Sequence, residues 1–186
     1  MHKKIDLGIL TGISYVTGLD YYNGINEYFM KNSKPVYSLN PNPSMVFASV
    51  DCDKYVKLLE ERNFDKVSDH LMDGITKLVN SGCNYLAIAS NTGHICYEKV
   101  KQKYPDLNII HIADCIAWEL KKKSYYNVGL VGTKPTMEED TLLDDYNYTV
   151  SIQLFLNMLQ TELRFMILFV MNYLIMCSRM IQEKEL

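Results

Sequence analysis

Two kinds of apolar pattern alternate along this chain. In the first, short continuous runs have the length of buried strands, and they lie at residues 5–10, 45–50, 85–89, 108–112 and 127–131. In the second, apolar residues recur every three or four positions, which predicts helices over residues 17–30, 64–80, 94–104 and 113–123. The clearest is 64–80, whose apolar side carries Val67, Leu71, Ile75, Leu78 and Val79 before Ser81 and Gly82 end it.

Strands separated by helices predict right-handed crossovers, and therefore a parallel sheet that is covered on both faces. For residues 1–140 we expect an α/β lobe with a three-layer, flavodoxin-like sheet. Residues 33–43, which are rich in Asn, Ser and Pro, form a loop in this prediction. In the first helix, the pattern places Tyr21, Tyr22, Ile25 and Phe29 on one side.

Residues 141–186 have a different character, since they contain neither glycine nor proline. Residues 165–177 are almost continuously apolar, yet this segment is shorter than the roughly 20 residues that a membrane span needs. We expect a mainly helical tail that covers apolar surface or pairs with a second copy of the chain, giving a homo-oligomer. A membrane anchor is the alternative for this segment.

The composition limits the classes of binding partner that we expect. The net charge is −3, and no cluster of Lys and Arg is interleaved with aromatic residues, so a nucleic-acid partner is not expected. The five cysteines are not spaced as metal ligands and form no disulfide framework, which favours reduced thiols in a cytoplasmic protein. Asp6 and Gly8 interrupt the apolar run near the N-terminus, so we expect no export signal.

Small polar residues follow four of the predicted strands: Ser14, Ser49, the stretch Ser90-Asn91-Thr92, and Thr133. The carboxyl ends of parallel strands share one edge of a sheet, and ligands bind there. A strand that ends in a polar loop and leads into a helix also directs free backbone N–H groups to that edge. The pattern predicts a pocket for a small anion such as an amino-acid carboxylate.

Several stretches resemble, in order and spacing, the aspartate/glutamate racemase superfamily, and above all its broad-specificity amino-acid racemase branch. They are Gly8-Ile9-Leu10-Thr11-Gly12-Ile13-Ser14-Tyr15, Tyr21-Tyr22-x-x-Ile25-Asn26, Ser49-Val50-Asp51, Ser90-Asn91-Thr92-Gly93-His94, His111-Ile112-Ala113-Asp114 and the run Gly129 to Asp140. The resemblance implies cofactor-independent proton transfer at the Cα of aspartate, glutamate or a related amino acid. In this chemistry two acid/base groups, typically thiols, face each other from two similar lobes.

The resemblance also implies a role for each residue. Ser90 takes the acid/base position of the first lobe, and Asn91 and Thr92 bind carboxylate. The pocket is completed by Ser14, Ser49, Thr133 and His94. Neither a metal nor an organic cofactor is implied, and no cofactor motif stands in the sequence.

Two departures from the family pattern bear on activity. A serine hydroxyl is a far poorer base than a thiolate. The Gly-Cys-Thr-Glu motif of the second lobe does not occur, and the surroundings of Cys177 do not resemble it. We therefore expect either an impaired racemase with a truncated or frame-altered second lobe, or a non-catalytic protein that binds an amino acid, a dicarboxylate or a partner. Maleate isomerases and hydantoin racemases, which share the architecture, are a third possibility.

Overall fold

The computed structural model describes residues 7–34, 37, 42–122 and 124. Four strands form one parallel sheet: β1 (Leu7–Thr11), β2 (Met45–Ser49), β3 (Tyr85–Ile88) and β4 (Asn108–Ile110). Their order across the sheet is β2-β1-β3-β4. The chain therefore leaves β1 toward one side to build β2 and then crosses to its other side to build β3. A crevice at the carboxyl ends of the strands opens where the direction of winding changes in this way.

The central strand shows that the sheet is covered on both faces, since all five residues of β1 are buried. On one face, a β-carbon added at Gly8 would lie 3.1 Å from Leu78 of the third helix, so the helix and strand backbones approach closely there. On the other face, Thr11 contacts Gly18 of the first helix. The two helices thus form the outer layers of a three-layer arrangement.

The helices are α1 (Tyr15–Asn32), α2 (Cys52–Glu60), α3 (Phe64–Asn80), α4 (Tyr97–Lys103) and α5 (Ile112–Lys122), with a 3₁₀ helix at Thr92–Cys96. The side chain of Asn63 begins α3 by accepting a hydrogen bond from the backbone N–H of Lys66 at 3.3 Å. Leu71 and Ile75 on its inner side are completely buried. Burial of a side chain of this size contributes about 2 kcal/mol, so α3 anchors the core.

The described sheet and helices confirm the α/β class with a parallel sheet. Helix α3 has the predicted ends, and strands β1 to β4 lie within two residues of theirs. One helix, α2, was not predicted, and the predicted helix at 94–104 is divided between the 3₁₀ helix and α4. Tyr22, expected on the apolar side of α1, is 53% exposed and packs its ring edge-on against Phe47.

A boundary between two compact units lies between His111 and Ile112, so the whole described sheet belongs to the first unit and α5 to the second. Within α5, the Lys122 ammonium lies 4.8 Å from the centre of the Trp118 ring. Among the described residues, no helix combines the length and apolarity needed to cross a membrane. The predicted strand at 127–131 and the predicted tail at 141–186 lie outside the described residues.

Candidate functional site

Three strand-to-helix loops meet at the carboxyl edge of the sheet, and we call residues 11–14, 49–52 and 89–94 the strand-end cluster. Strand register brings Thr11 beside Ser49. Past the strands, the N–H of Val50 donates to the carbonyl of Thr11 and the N–H of Ala89 donates to the carbonyl of Leu10, each at 2.9 Å. The sheet hydrogen bonding therefore continues into the loops, and it holds the three loops together.

Helix α1 is tied to the same edge by Thr17. The Thr17 hydroxyl lies 3.0 Å from the carbonyl oxygen of Ala89 and 2.9 Å from that of Ser14, and its single hydrogen can serve either acceptor. One acceptor belongs to the loop after β3 and the other to the loop after β1. The hydroxyl therefore fixes the start of α1 against both loops.

Two glycines allow the loops to approach closely. Gly12 has a φ of +91°, and a β-carbon there would lie 2.3 Å from the carbonyl oxygen of Val50 and 2.5 Å from the Ser49 hydroxyl oxygen. A β-carbon at Gly93 would lie 2.8 Å from the Ile88 side chain and 3.0 Å from the Ile13 side chain. Because only glycine fits at these positions, the first loop packs directly against the other two.

The predicted site residues of the first two loops, Ser14 and Ser49, lie within the cluster. Ser14 occupies the position before the first turn of α1 with an extended backbone, but its side chain makes no capping hydrogen bond to the helix. Its hydroxyl is therefore not committed to capping. Ser49 is exposed at the end of β2, with its hydroxyl oxygen beside the Gly12 turn.

The third loop carries Ser90, Asn91 and Thr92, all half-buried. The Ser90 hydroxyl oxygen accepts a hydrogen bond from the backbone N–H of Gly93 at 3.2 Å, which closes the turn into the 3₁₀ helix. The side-chain oxygen of Asn91 is buried and has no hydrogen-bond partner among the described residues. An oxygen in this position has lost its hydrogen bonds to water and has gained none in return. Its burial is therefore destabilising until a donor binds it.

His94 is completely buried beneath this loop. Its Nδ1 lies 2.8 Å from the carbonyl oxygen of Ser90 and 3.2 Å from that of Asn91, so the ring N–H donates to the loop backbone. The ring meets His111 edge-on, with 4.4 Å between the ring centres. Burial, and secondly the nearby His111, lower the pKa of His94 to about 3, so the ring is neutral near pH 7.

Two residues of α2, Cys52 within the cluster and Tyr55 at its border, were not predicted as site residues. The exposed Cys52 thiol donates to the carbonyl of Ile13 at 3.1 Å. Burial raises the pKa of the Tyr55 phenol, while an interaction with the Ser90 side chain acts in the opposite direction. That interaction lacks the geometry of a regular hydrogen bond, and the buried phenol oxygen has no hydrogen-bond partner among the described residues.

The sequence did contain a signal for α2. The Asp51 side chain accepts a hydrogen bond from the N–H of Lys54 at 3.1 Å, as expected of an N-cap residue. Tyr55 and Leu58, three positions apart, form its buried side. An N-cap residue followed by this spacing would have placed Tyr55 in the second turn, directed toward the sheet.

The chemistry of the cluster is that of neutral donors and acceptors. Asp51 is its one charged residue near pH 7, and its carboxylate caps α2. Hydroxyl, amide and backbone N–H groups can bind a carboxylate by hydrogen bonds without a cation. No group of three or more His, Cys, Asp or Glu side chains suited to a metal occurs in the described part of the chain. The structure brings together six of the predicted residues, while Thr133 lies outside the described ranges.

Comparisons with known proteins agree with this architecture. The family model described as Asp/Glu/hydantoin racemase matches residues 10–146. Over 74 residues the chain is 30% identical to the broad-specificity amino-acid racemase RacX of Bacillus subtilis strain 168, a match that covers 40% of this chain and 32% of RacX.

Two crystal structures share the fold. One is of a protein from Yersinia pestis assigned to the Asp/Glu racemases, with a TM-score of 0.70, 23% identity, and coverage of 80% of this chain and 64% of that one. The other is of PH1733, an aspartate racemase homologue from Pyrococcus horikoshii OT3, with a TM-score of 0.68, 22% identity, and coverage of 82% and 65%. The matched region thus spans less than two thirds of each of these proteins.

Proposed function

We propose that this chain, which belongs to the Asp/Glu/hydantoin racemase family, binds aspartate, glutamate or a related small amino acid at the strand-end cluster. RacX carries the name of a broad-specificity amino-acid racemase, which supports an amino acid as the ligand class here. In this proposal the ligand carboxylate is held by the hydroxyls of Ser14 and Ser49 and by the loop Ser90 to Thr92.

The observation that carries the proposal is the buried side-chain oxygen of Asn91, which has no hydrogen-bond partner within the described part of the chain. An amide oxygen accepts hydrogen bonds, whereas the amide nitrogen of the same side chain donates them. A zwitterionic amino acid offers both counterparts, since its ammonium group donates and its carboxylate accepts. A dicarboxylate without an amine offers only acceptors, so the Asn91 oxygen favours an amino acid.

The family chemistry implies proton removal at Cα, and Ser90 is poorly equipped for this step. The Cα proton is very weakly acidic, so its removal needs a strong and well-placed base. The Ser90 hydroxyl oxygen already accepts the Gly93 N–H, and Nδ1 of the neighbouring His94 donates to backbone carbonyls and not to the hydroxyl. We therefore infer that this half of the site recognises the ligand and that two-base racemisation through Ser90 is impaired.

The proposal is tested by measuring ligand binding and Cα exchange on the same protein. Calorimetry with both enantiomers of aspartate and glutamate should show binding, with succinate weaker. In D₂O, NMR should show little Cα exchange. Asn91→Ala should weaken aspartate binding about tenfold or more, because a hydrogen bond to a charged group contributes about 1.5–3 kcal/mol.

The matched control is Asn108→Ala. Asn108 is exposed at the start of β4, at the opposite edge of the sheet, and its amide donates to the carbonyl of Asn84. Its removal should leave aspartate affinity unchanged. If the folded wild-type protein binds none of the four amino acids, or if Asn108→Ala weakens binding as much as Asn91→Ala does, the proposal is wrong.

The outcome of the exchange measurement separates the functions that the sequence left open. Exchange without racemisation would indicate a single working base, and exchange that survives Ser90→Ala would place that base elsewhere. Binding without exchange favours the non-catalytic amino-acid-binding protein, the second candidate, which the unactivated Ser90 supports. The proposal has four further parts. Thr133 contributes to the site, the chain divides into residues 1–140 and 141–186, the tail mediates self-association, and the protein is cytoplasmic.

A further inference from the structure

Tyr55 is a buried polar residue to which the proposed function has not assigned a role. It lies in the second turn of α2, and only 3% of the residue is exposed. Its hydroxyl is inaccessible to water and has no hydrogen-bond partner in the described part of the chain. A buried hydroxyl without a partner is destabilising, typically by 1–3 kcal/mol, so its presence calls for a reason.

The Ser90 side chain lies near the Tyr55 hydroxyl, although no regular hydrogen bond joins the two in the described structure, and burial keeps the phenol protonated because it raises the pKa. The phenol therefore has a hydrogen to donate. Ser90 has one hydroxyl hydrogen and two acceptor positions, of which the N–H of Gly93 takes one. Ser90 therefore has one acceptor position that is still available, and its own hydroxyl hydrogen can rotate toward different acceptors.

The two possible arrangements differ in what Ser90 presents to a ligand. If Ser90 donates to Tyr55, a lone pair of Ser90 faces the pocket and repels a carboxylate. If Tyr55 donates to Ser90, both acceptor positions of Ser90 are filled and its hydrogen is free for the carboxylate. A bound acid therefore selects the second arrangement, since a hydrogen bond to a charged acceptor is stronger than one between neutral groups.

We propose that Tyr55 is a positioning residue that donates its hydroxyl hydrogen to Ser90 and thereby turns Ser90 into a hydrogen-bond donor for the carboxylate of a bound amino acid. This inference rests on the proposed function and deepens it, because it gives Ser90 a binding role in place of proton abstraction. With both acceptor positions filled, the Ser90 oxygen has no lone pair left to receive the Cα proton.

A double-mutant cycle tests this coupling. Calorimetry would measure the dissociation constants for L- and D-aspartate of the wild type, Tyr55→Phe, Ser90→Ala and the double variant. We expect Tyr55→Phe to weaken binding five- to tenfold in the wild-type background and by less than twofold in the Ser90→Ala background. In Ser90→Thr, which keeps a hydroxyl, the effect of Tyr55→Phe should return.

Tyr104→Phe is the matched control, because it also removes a phenol hydroxyl, one that pairs with Thr76 at 2.9 Å away from the cluster. It should leave aspartate affinity unchanged and lower the unfolding midpoint. Tyr55→Phe should leave that midpoint unchanged or raise it, because it removes an unpartnered group and keeps the buried ring. A merely structural tyrosine would behave like Tyr104.

Each contrary result has a distinct meaning. If Tyr55→Phe weakens aspartate binding equally in both Ser90 backgrounds, or in neither, the positioning role is wrong. Aspartate binding by the wild type would still support the proposed function in that case. Folded wild-type protein that binds neither aspartate nor glutamate overturns the proposed function, and the role of Tyr55 falls with it.

Discussion

The interior around α3 and the strand-end cluster are both buried, but they are built in opposite ways. In the interior, Leu71 and Ile75 pack among other apolar side chains, and burial itself stabilises the fold. In the cluster, His94 is just as deeply buried, and the Asn91 side-chain oxygen has no hydrogen-bond partner among the described residues, as is also true of the Tyr55 hydroxyl at the border between the two regions. Buried apolar side chains need no further partner, whereas the buried polar atoms of the cluster lack hydrogen bonds until a ligand binds.

The two regions share the same strands. Leu10 and Ile88 belong to the core, and the next residues along each strand, Thr11 and Ala89, carry the backbone into the cluster. The incomplete polar groups are therefore attached directly to the strands of the apolar core. Such a support keeps them in place in the absence of a ligand and preorganises them for one.

The largest effect that distinguishes the two regions is expected from Ile75→Ala. Ile75 is completely buried, and removal of its side chain leaves a cavity in the core, so the free energy of unfolding should fall by about 3–4 kcal/mol. Urea unfolding measures this loss, and Ile75→Val should cost only about 1 kcal/mol. The affinity of the remaining folded protein for aspartate should not change. A loss of affinity without a loss of stability would contradict the division between the regions.

An effect of intermediate size is expected from acid, through His94. Its pKa of about 3 lies below the ordinary value of 6.5, so the unfolded chain binds a proton that the folded chain excludes. The contribution of His94 is therefore fully present above pH 6.5 and is lost as the pH falls toward 3. At pH 5 the loss should be about 2 kcal/mol.

Urea unfolding at several pH values would isolate this contribution by comparison with His94→Gln, which keeps a hydrogen-bond donor but does not titrate. The stability of the wild type relative to the variant should decline below pH 6.5. Parallel profiles for the two proteins would show that His94 is not held neutral by its surroundings.

The smallest effect is expected from Thr17→Val, which preserves the shape of the side chain but removes the hydroxyl between two loops. The free energy of unfolding should fall by about 1 kcal/mol, because the one hydroxyl hydrogen shared by the carbonyls of Ala89 and Ser14 is lost. Thr17→Ser retains the hydroxyl and should recover most of this loss in the same urea unfolding experiment. If the valine variant is as stable as the wild type, the hydroxyl does not hold the loops together.

The elements of the apolar core could be predicted from the sequence more fully than the contacts of the strand-end cluster. Helix α3 was predicted with its observed ends because its apolar residues recur over 17 residues. Helix α2 has nine residues and two buried positions, too few for periodicity alone to mark it. The 3₁₀ helix was expected to be α-helical, but the Ser90 side chain accepts the Gly93 N–H and closes a tighter turn there.

In the candidate site, strand ends were enough to place Ser14, Ser49 and Ser90 at one edge, because parallel strands share their direction. The part played by Thr17 and the position of the Tyr55 hydroxyl could not be predicted in this way. Both depend on contacts between residues 35 or more positions apart, Thr17 with Ala89 and Tyr55 with Ser90. Local sequence patterns carry no information on such contacts.

The turn at Gly12 determines which parts of this edge can be redesigned. Any β-carbon at position 12 would have to occupy the space of the Val50 backbone, which cannot move without breaking the sheet. New side chains for a different ligand must therefore enter at other positions of the cluster, such as the half-buried Ser14 or the exposed Ser49. The glycine thus fixes the course of the chain and leaves chemical variation to the serines.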